Sequence, residues 1–439
     1  MKRELIQYLR KWKVNSIRKP LILRGARQVG KTYLVREFGK EFTSYVSINL
    51  EKQPEIATLF NDNLDTKQLI QQLQLITEQK IIPGETLLFI DEAQVAPRSL
   101  IALRYFYEEC PLLHVIAAGS LIDFAIEKVG VPVGRVSFLY LYPLSFMEFL
   151  RATGREMAAT AILQHPFPQA VLEPIHQKWL EYVAEYLAIG GMPEVVRVWQ
   201  EMHDLNACGE IQYAIIESYK QDFEKYCKRH EVKYVSLIYE QVPRQLGQLF
   251  RFSKMPGEYR KRDLAPCFDL LNKAMVINPV YHSDGQGLPL GAEADYHHFK
   301  ATFVDVALAQ RLLNSHPKDW FLQPNQSLIN KGEITESFVG QELLAYSNPQ
   351  EKAQLYYWQR HERGSSAEVD YLSNIQGQVI PIEVKSGAGS SLKSLQLFLK
   401  THSSPYGIRF STHPFSLHES LHSYPLYAVA RLKSDFRGD

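Results

Sequence analysis

Short apolar runs separated by amphipathic stretches fill the first third of the chain. PLILRG (20–25), YVSINL (45–50), TLLFIDEAQ (86–94) and LLHVIAAGS (112–120) are each bounded by polar or turn-forming residues. Bounded runs of this kind predict buried parallel strands, and the helical periods between them supply right-handed crossovers. The pattern predicts an α/β sheet covered by helices over residues 1–143.

Beyond residue 143 the period becomes helical, as in PLSFMEFLRATG, QKWLEYVAEYLAIGG and IQYAIIESYKQDFEKY, with Gly190 and Gly191 ending one helix ahead of Pro193. A helical lid or connector is expected over 144–235. Residues 236–325 hold two further helical patterns and a Gly-rich turn at 284–291, an order that reads as a winged-helix-like domain with its wing. From 326 onward a helix, ITESFVGQELLAYS (334–347), precedes strand-like AQLYYWQR, EVDYLSN and QVIPIEVKS and a last helix, LKSLQLFLKTH. That order predicts a C-terminal α+β domain with a mixed sheet over 326–439.

A chain of 439 residues exceeds what one hydrophobic core organises, in keeping with several domains. With 49 basic and 48 acidic residues, a basic surface over the whole protein is excluded, so a polyanion must meet a local patch. Cys110, Cys208, Cys227 and Cys267 form no CxxC pair, which points away from zinc and disulfide frameworks and toward a reducing cytoplasm. The N-terminal MKRELIQYLRKWKV lacks the apolar centre of an export signal and reads as an amphipathic helix; no apolar run has the length of a membrane span, so no membrane partner is expected.

The strongest chemical signal is Gly25-Ala26-Arg27-Gln28-Val29-Gly30-Lys31-Thr32, which matches GxxxxGK[ST] between an apolar run and a helix. Such a loop wraps backbone N–H groups around phosphates, Lys31 reaches the β and γ oxygens, and Thr32 offers a hydroxyl to Mg²⁺. Downstream, the run Leu87-Leu88-Phe89-Ile90 ends in Asp91 and Glu92. Asp91 is expected to hold Mg²⁺ and Glu92 to orient or deprotonate the attacking water. ATP and Mg²⁺ are the cofactors this pair of motifs implies. No NKxD-type segment that would read guanine follows Asp91.

Three residues have two readings each. Ser120 stands where a side chain would sense the γ-phosphate, or caps the helix 121–128. Arg135 is an arginine finger acting in cis or toward a neighbouring subunit, or a carboxylate-paired surface residue. Gln94 bonds the attacking water or is a structural amide.

In the last domain Glu383 and Lys385 lie two apart on a strand and project to one side, and a hairpin would bring Asp370 beside them. Two carboxylates converging with a lysine hold Mg²⁺ and orient water, as nucleases require. Glu336, with Glu342 as competitor, would add a ligand. The alternative is a charged outer sheet face or a core that binds without cutting.

On these residues the chain resembles a bacterial and archaeal family of AAA-type ATPases that join an N-terminal P-loop domain to a C-terminal domain with a restriction-endonuclease-like core. The resemblance is carried by GARQVGKTYLV, LLFIDEAQ, AAGSLIDF, GRVSFLYLYPLSFMEFL, LAIGGMPEVV, FKATFVDVAL, ITESFVGQELLAY and EVDYLSNIQGQVIPIEVKSG. It implies a helical and winged-helix connector, and the roles already given to Lys31, Asp91, Asp370, Glu383 and Lys385. Asp370 with Glu383-Val384-Lys385 fits the PD-(D/E)xK pattern, except that Val369 stands where proline is often written.

Two functional readings follow. One is an ATP-driven DNA-processing enzyme, with the basic stretch Arg251, Lys254, Arg260, Lys261 and Arg262 meeting DNA. The other is a non-nucleolytic signalling or scaffold ATPase whose nucleotide state repositions the C-terminal domains against a protein partner or further copies of itself.

Overall fold

A parallel sheet buried on both faces forms the N-terminal part. Its strands are β1 (Leu21–Arg24), β2 (Ser44–Asn49), β3 (Thr86–Asp91), β4 (His114–Ala118) and β5 (Ser137–Tyr140). They are ordered β2-β3-β4-β1-β5, every neighbouring pair parallel. Every residue of β3 and β4 is buried, which explains their unbroken apolar runs. The strand β5 lies in a segment whose sequence carries no clear strand period. The computed structural model describes residues 1–61, 64–130, 134–315, 317–360, 367–386 and 392–435. Gly387, the last residue of the segment EVDYLSNIQGQVIPIEVKSG, lies outside the described residues.

The chain divides into two units. The first comprises Lys2–Tyr142 and Asn348–Lys352; the second comprises Pro143–Ser347 and Ala353–Asp439, together with Met1. In the first unit the short segment Asn348–Lys352 returns to the parallel sheet, where the Tyr140 N–H donates to the Pro349 carbonyl at 2.8 Å.

The second unit contains the expected helices, among them Phe146–Ala152, Glu173–Ile189, Pro193–Met202 and Leu205–Tyr226. Its strands are β6 (Ile277–Ser283), β7 (Ala294–Phe303), β8 (Leu355–Gln359), β9 (Glu368–Ile375), β10 (Gln378–Lys385), β11 (Gly407–Ser411), β12 (Ser416–His418) and β13 (Leu421–Pro425). All eight form one mixed sheet, ordered β12-β13-β11-β10-β9-β8-β6-β7. Here the structure differs from the expected boundary at 325/326. The hairpin β6–β7, expected as the wing of a separate winged-helix-like domain, pairs through β6 with β8, Val280 beside Leu355. An apolar hairpin face cannot stay solvated, and the edge of β8 supplies the backbone partners it lacks.

Two of the sequence segments meet at Asp305. Its buried carboxylate accepts from the Gly191 N–H at 2.6 Å, and from Ala307 and Leu308 N–H at 3.0 and 3.1 Å at the start of the helix Val306–Leu312. A Cβ on Gly191 would lie 2.3 Å from the Leu144 carbonyl oxygen, so glycine is required for that approach. Glu342, considered above as a metal ligand, is instead a helix cap: both its oxygens accept from the Phe146 N–H, at 2.9 and 3.1 Å. Ser145 and Glu148 complete a capping box at the same helix start.

Asp305→Ala strands three buried backbone donors, each worth ~1–3 kcal/mol when left unpaired. A fall in stability of several kcal/mol is expected in thermal or denaturant unfolding, with a smaller fall for Asp305→Asn; a variant as stable as the wild type would contradict this role.

Candidate functional site

The strand order sets β4 between β1 and β3, and because all three run parallel, the segments leaving their C-terminal ends emerge along one edge. Open α/β sheets bind ligands at such an edge. The phosphate loop follows β1, Asp91 ends β3, and Gly119 and Ser120 follow β4.

The loop is shaped by close backbone approach. A Cβ on Gly25 would lie 2.4 Å from the Leu141 carbonyl oxygen. Gly30 has φ +96° where it starts the helix Lys31–Gly39, a region side chains disfavour. Ala26 and Val29 are buried, and Gln28 is left-handed at φ +63°. The Lys31 ammonium donates to the carbonyls of Gly25 and Ala26, both at 2.8 Å, which holds it inside the loop. Arg3 was not foreseen as part of this site: its buried guanidinium donates to the Val29 carbonyl at 2.8 Å and to the Tyr142 carbonyl at 2.6 Å.

Asp91 is 4% exposed. Its Oδ2 accepts from the Thr32 hydroxyl at 2.9 Å and from Asn49 Nδ2 at 3.4 Å, and its Oδ1 accepts from the Glu92 N–H at 3.1 Å. Burial raises the Asp91 pKa, while Thr32, the Glu92 N–H and Lys31 oppose the rise. Glu92 is raised too, first by burial and further by the charges of Asp91 and Glu51, while Gln94 and Lys31 oppose. Its backbone is left-handed at φ +52°, a cost of ~1–2 kcal/mol for a residue with a Cβ and a mark of functional positions. The Gln94 amide donates to Glu92 Oε2, the place of a structural amide that holds the carboxylate.

The remaining candidates of this unit separate. Ser120 does not cap the following helix, Ile122–Val129, whose N-cap is Leu121 without a side-chain bond. Arg135 lies on the surface, its Nε 2.8 Å from Glu108 Oε1 and its guanidinium 5.8 Å from the Tyr107 ring centre. Arg24, at the end of β1, was overlooked; it pairs with Asp123 at 3.0 Å and donates to the Tyr140 hydroxyl at 2.7 Å.

The second unit brings together Glu336, Asp370, Glu383 and Lys385. The Val384 N–H donates to Asp370 Oδ2 at 2.7 Å, and the Lys385 ammonium lies against Glu383 Oε1. At the centre stands a residue the sequence did not point to. Lys300 on β7 has a side chain 3% exposed; its ammonium is 2.9 Å from Glu336 Oε1 and 3.8 Å from Asp370 Oδ1, with Glu368 directly against it. Burial works against that charge, yet Glu336, Asp370 and Glu368 hold the Lys300 pKa well above the ordinary lysine value. Burial raises Glu336 and Asp370, each to about 7, with Lys300 opposing in both cases. Glu383 is raised by burial, and its Oε2 is buried with no hydrogen-bond partner.

The expected ligand set Glu336, Asp370 and Glu383 is thus modified: Glu336 is engaged by Lys300. Asp370 and Glu383, with hard oxygens and one unpartnered atom, remain a pair that fits an oxygen-ligated cation. Among the described residues no three His, Cys, Asp or Glu side chains are grouped to hold a metal.

Comparison with known proteins assigns the first site to a class. Residues 17–150 match the family model described as an AAA domain. Residues 180–319 and 331–429 match two models each described as a domain of unknown function, DUF8612 and DUF4143. The N-terminal unit thus contains an AAA-type domain. No curated protein matches the sequence. Among solved structures, the Walker-type ATPase PABY2304 of Pyrococcus abyssi aligns at 18% identity and a TM-score of 0.45, over 71% of this chain and 95% of its own. C. elegans PCH-2 aligns at 13% identity and a TM-score of 0.28, over 47% of this chain and 64% of its own. Neither likeness is close enough to carry a functional argument. No helix among the described residues is long and apolar enough to cross a membrane.

The carboxylate cluster predicts a pH signature. Folded Glu336 and Asp370 titrate near 7 and their unfolded counterparts near ~4. Between these values the folded state binds protons that the unfolded chain has released, so this stabilisation is full below about pH 4 and is lost as pH rises through 7. In EDTA, the melting temperature of the wild type should fall between pH 5 and 8 more steeply than that of Glu336→Gln/Asp370→Asn. Parallel profiles would refute it.

Proposed function

We propose that the N-terminal unit hydrolyses ATP with Mg²⁺, with Lys31 holding the β and γ phosphate oxygens, Thr32 and Asp91 holding the ion, and Glu92 activating water. The observation that carries this is the hydrogen bond of 2.9 Å between the Thr32 hydroxyl and Asp91 Oδ2, which sets two hard oxygen donors side by side at the end of the phosphate loop. When bound, Mg²⁺ supplies charge neutralisation to the phosphates. The raised pKa of Glu92 brings its basicity toward neutral pH, as a general base requires, and Gln94 keeps the carboxylate oriented. Ser120, on the segment after β4, lies on the same edge and suits a γ-phosphate contact. Arg135 would serve as an arginine finger only by leaving Glu108.

A second reading concerns the other unit. We propose that Asp370, Glu383 and Lys385 are a nuclease-type site acting on DNA, supported by the unpartnered, buried Glu383 Oε2 beside Lys385. The alternative, a nucleotide switch that moves a protein partner, needs none of these residues.

Lys31→Ala should abolish binding of a fluorescent ATP analogue. Glu92→Gln should bind it normally and hydrolyse ATP roughly 10²–10⁴-fold more slowly; hydrolysis at the wild-type rate would remove Glu92 from the role. For the second site, Mg²⁺-dependent nicking of plasmid DNA should disappear in Asp370→Asn and in Lys385→Ala. Equal cutting by wild type and variants, or none by either, would favour the switch.

A further inference from the structure

The second unit holds a half-open cavity of about 580 Å³, within the ~300–1,000 Å³ range of small-ligand sites. One wall is aromatic: Phe250, Phe252 and Phe299 line it, with ring centres 5.1 Å apart for Phe250 and Phe252 and 5.5 Å for Phe250 and Phe299. Phe250 and Phe299 are buried, and Phe252 is half-exposed at the surface of this stack. Arg251, Lys261 and Arg360 bring cations to the lining, Leu249, Ser253, Gln359, His297 and His298 complete it, and among the described residues it contains no carboxylate, the nearest being Asp295, 2.7 Å from His298 Nδ1. In a protein with nearly equal acidic and basic counts this is a local concentration of one sign. Arg251 and Lys261 are exposed, and neither enters an ion pair among the described residues.

Cations beside a half-exposed ring make a surface that suits single-stranded nucleic acid: phosphates meet the cations and a base stacks on the ring. A phosphopeptide would use the cations and leave the rings idle, and a duplex keeps its bases from them. The position matters too. Gln359, in the lining, is in register with Glu368, and Phe299 precedes Lys300 on β7. The cavity therefore adjoins the strands β7 and β9 that carry Lys300 and Glu368.

We propose that this cavity binds single-stranded DNA, its phosphates on Arg251 and Lys261 and one base against Phe252; the proposal rests on the DNA-directed reading of the Asp370–Glu383–Lys385 site.

The test is fluorescence anisotropy of the full chain with a labelled oligothymidylate, a duplex of the same length and a phosphotyrosine peptide, over a salt series. The oligothymidylate should bind tightest. Arg251→Ala/Lys261→Ala, which removes only exposed side chains, should weaken it and lower the salt slope by about 1.4, two phosphate contacts at about 0.7 each. Phe252→Ala should weaken binding on the order of ten- to a hundredfold with the slope unchanged, and Phe252→Trp should restore it. Tight binding that none of these variants alters would overturn the cavity while leaving the DNA reading intact. No binding of either nucleic acid would overturn both. Preference for the duplex or the peptide, lost in the same variants, would overturn the assigned ligand.

Discussion

A carboxylate kept almost dry at the end of a central strand is the constraint on which the ATPase half depends. At that depth the Thr32 hydroxyl, the Asn49 amide and its neighbour's N–H give the Asp91 carboxylate the hydrogen bonds that water would otherwise supply. Each of those donors comes from a different place: the helix after the phosphate loop, the end of β2 and the turn after β3. They converge because β2, β3, β4 and β1 lie side by side and parallel. The sheet order is thus a condition of the chemistry, since a slip of one residue in β3 would turn Asp91 to the other face.

The second unit solves the same problem with a different cation. Four carboxylates gathered on one helix and two strands would repel one another severely, and a buried ammonium from β7 offsets them. Lys300 thus engages Glu336, Glu368 and Asp370, while Glu383 lies against Lys385 and Asp370 also accepts from the Val384 N–H.

The phosphate loop, Asp91 and the strand pair β9–β10 were legible because each is local: a glycine spacing, an apolar run ending in acids, two alternating runs about a turn. The helices of residues 144–235 were legible from their period. Lys300 was not, because a lone lysine within FKATF carries no mark of the carboxylates, Glu336, Glu368 and Asp370, that it meets far along the chain. The membership of β6 and β7 in the C-terminal sheet was hidden for the same reason, since edge pairing depends on backbone rather than side-chain pattern. Glu342 illustrates the converse: in sequence it competed with Glu336 for one ligand role, and only its place against the Phe146 N–H shows it to be a cap.

The return of Asn348–Lys352 to the parallel sheet has a consequence for synthesis. A chain made from its N-terminus can assemble β1 to β5 early, yet the Tyr140 N–H has no Pro349 carbonyl until the helices and the hairpin β6–β7 have already emerged. The hairpin in turn waits for β8, and Lys300 for Glu368 and Asp370. Neither unit reaches its final contacts before the other has been largely synthesised, so the two mature together, each exposed for a time to the hazards of an unfinished sheet.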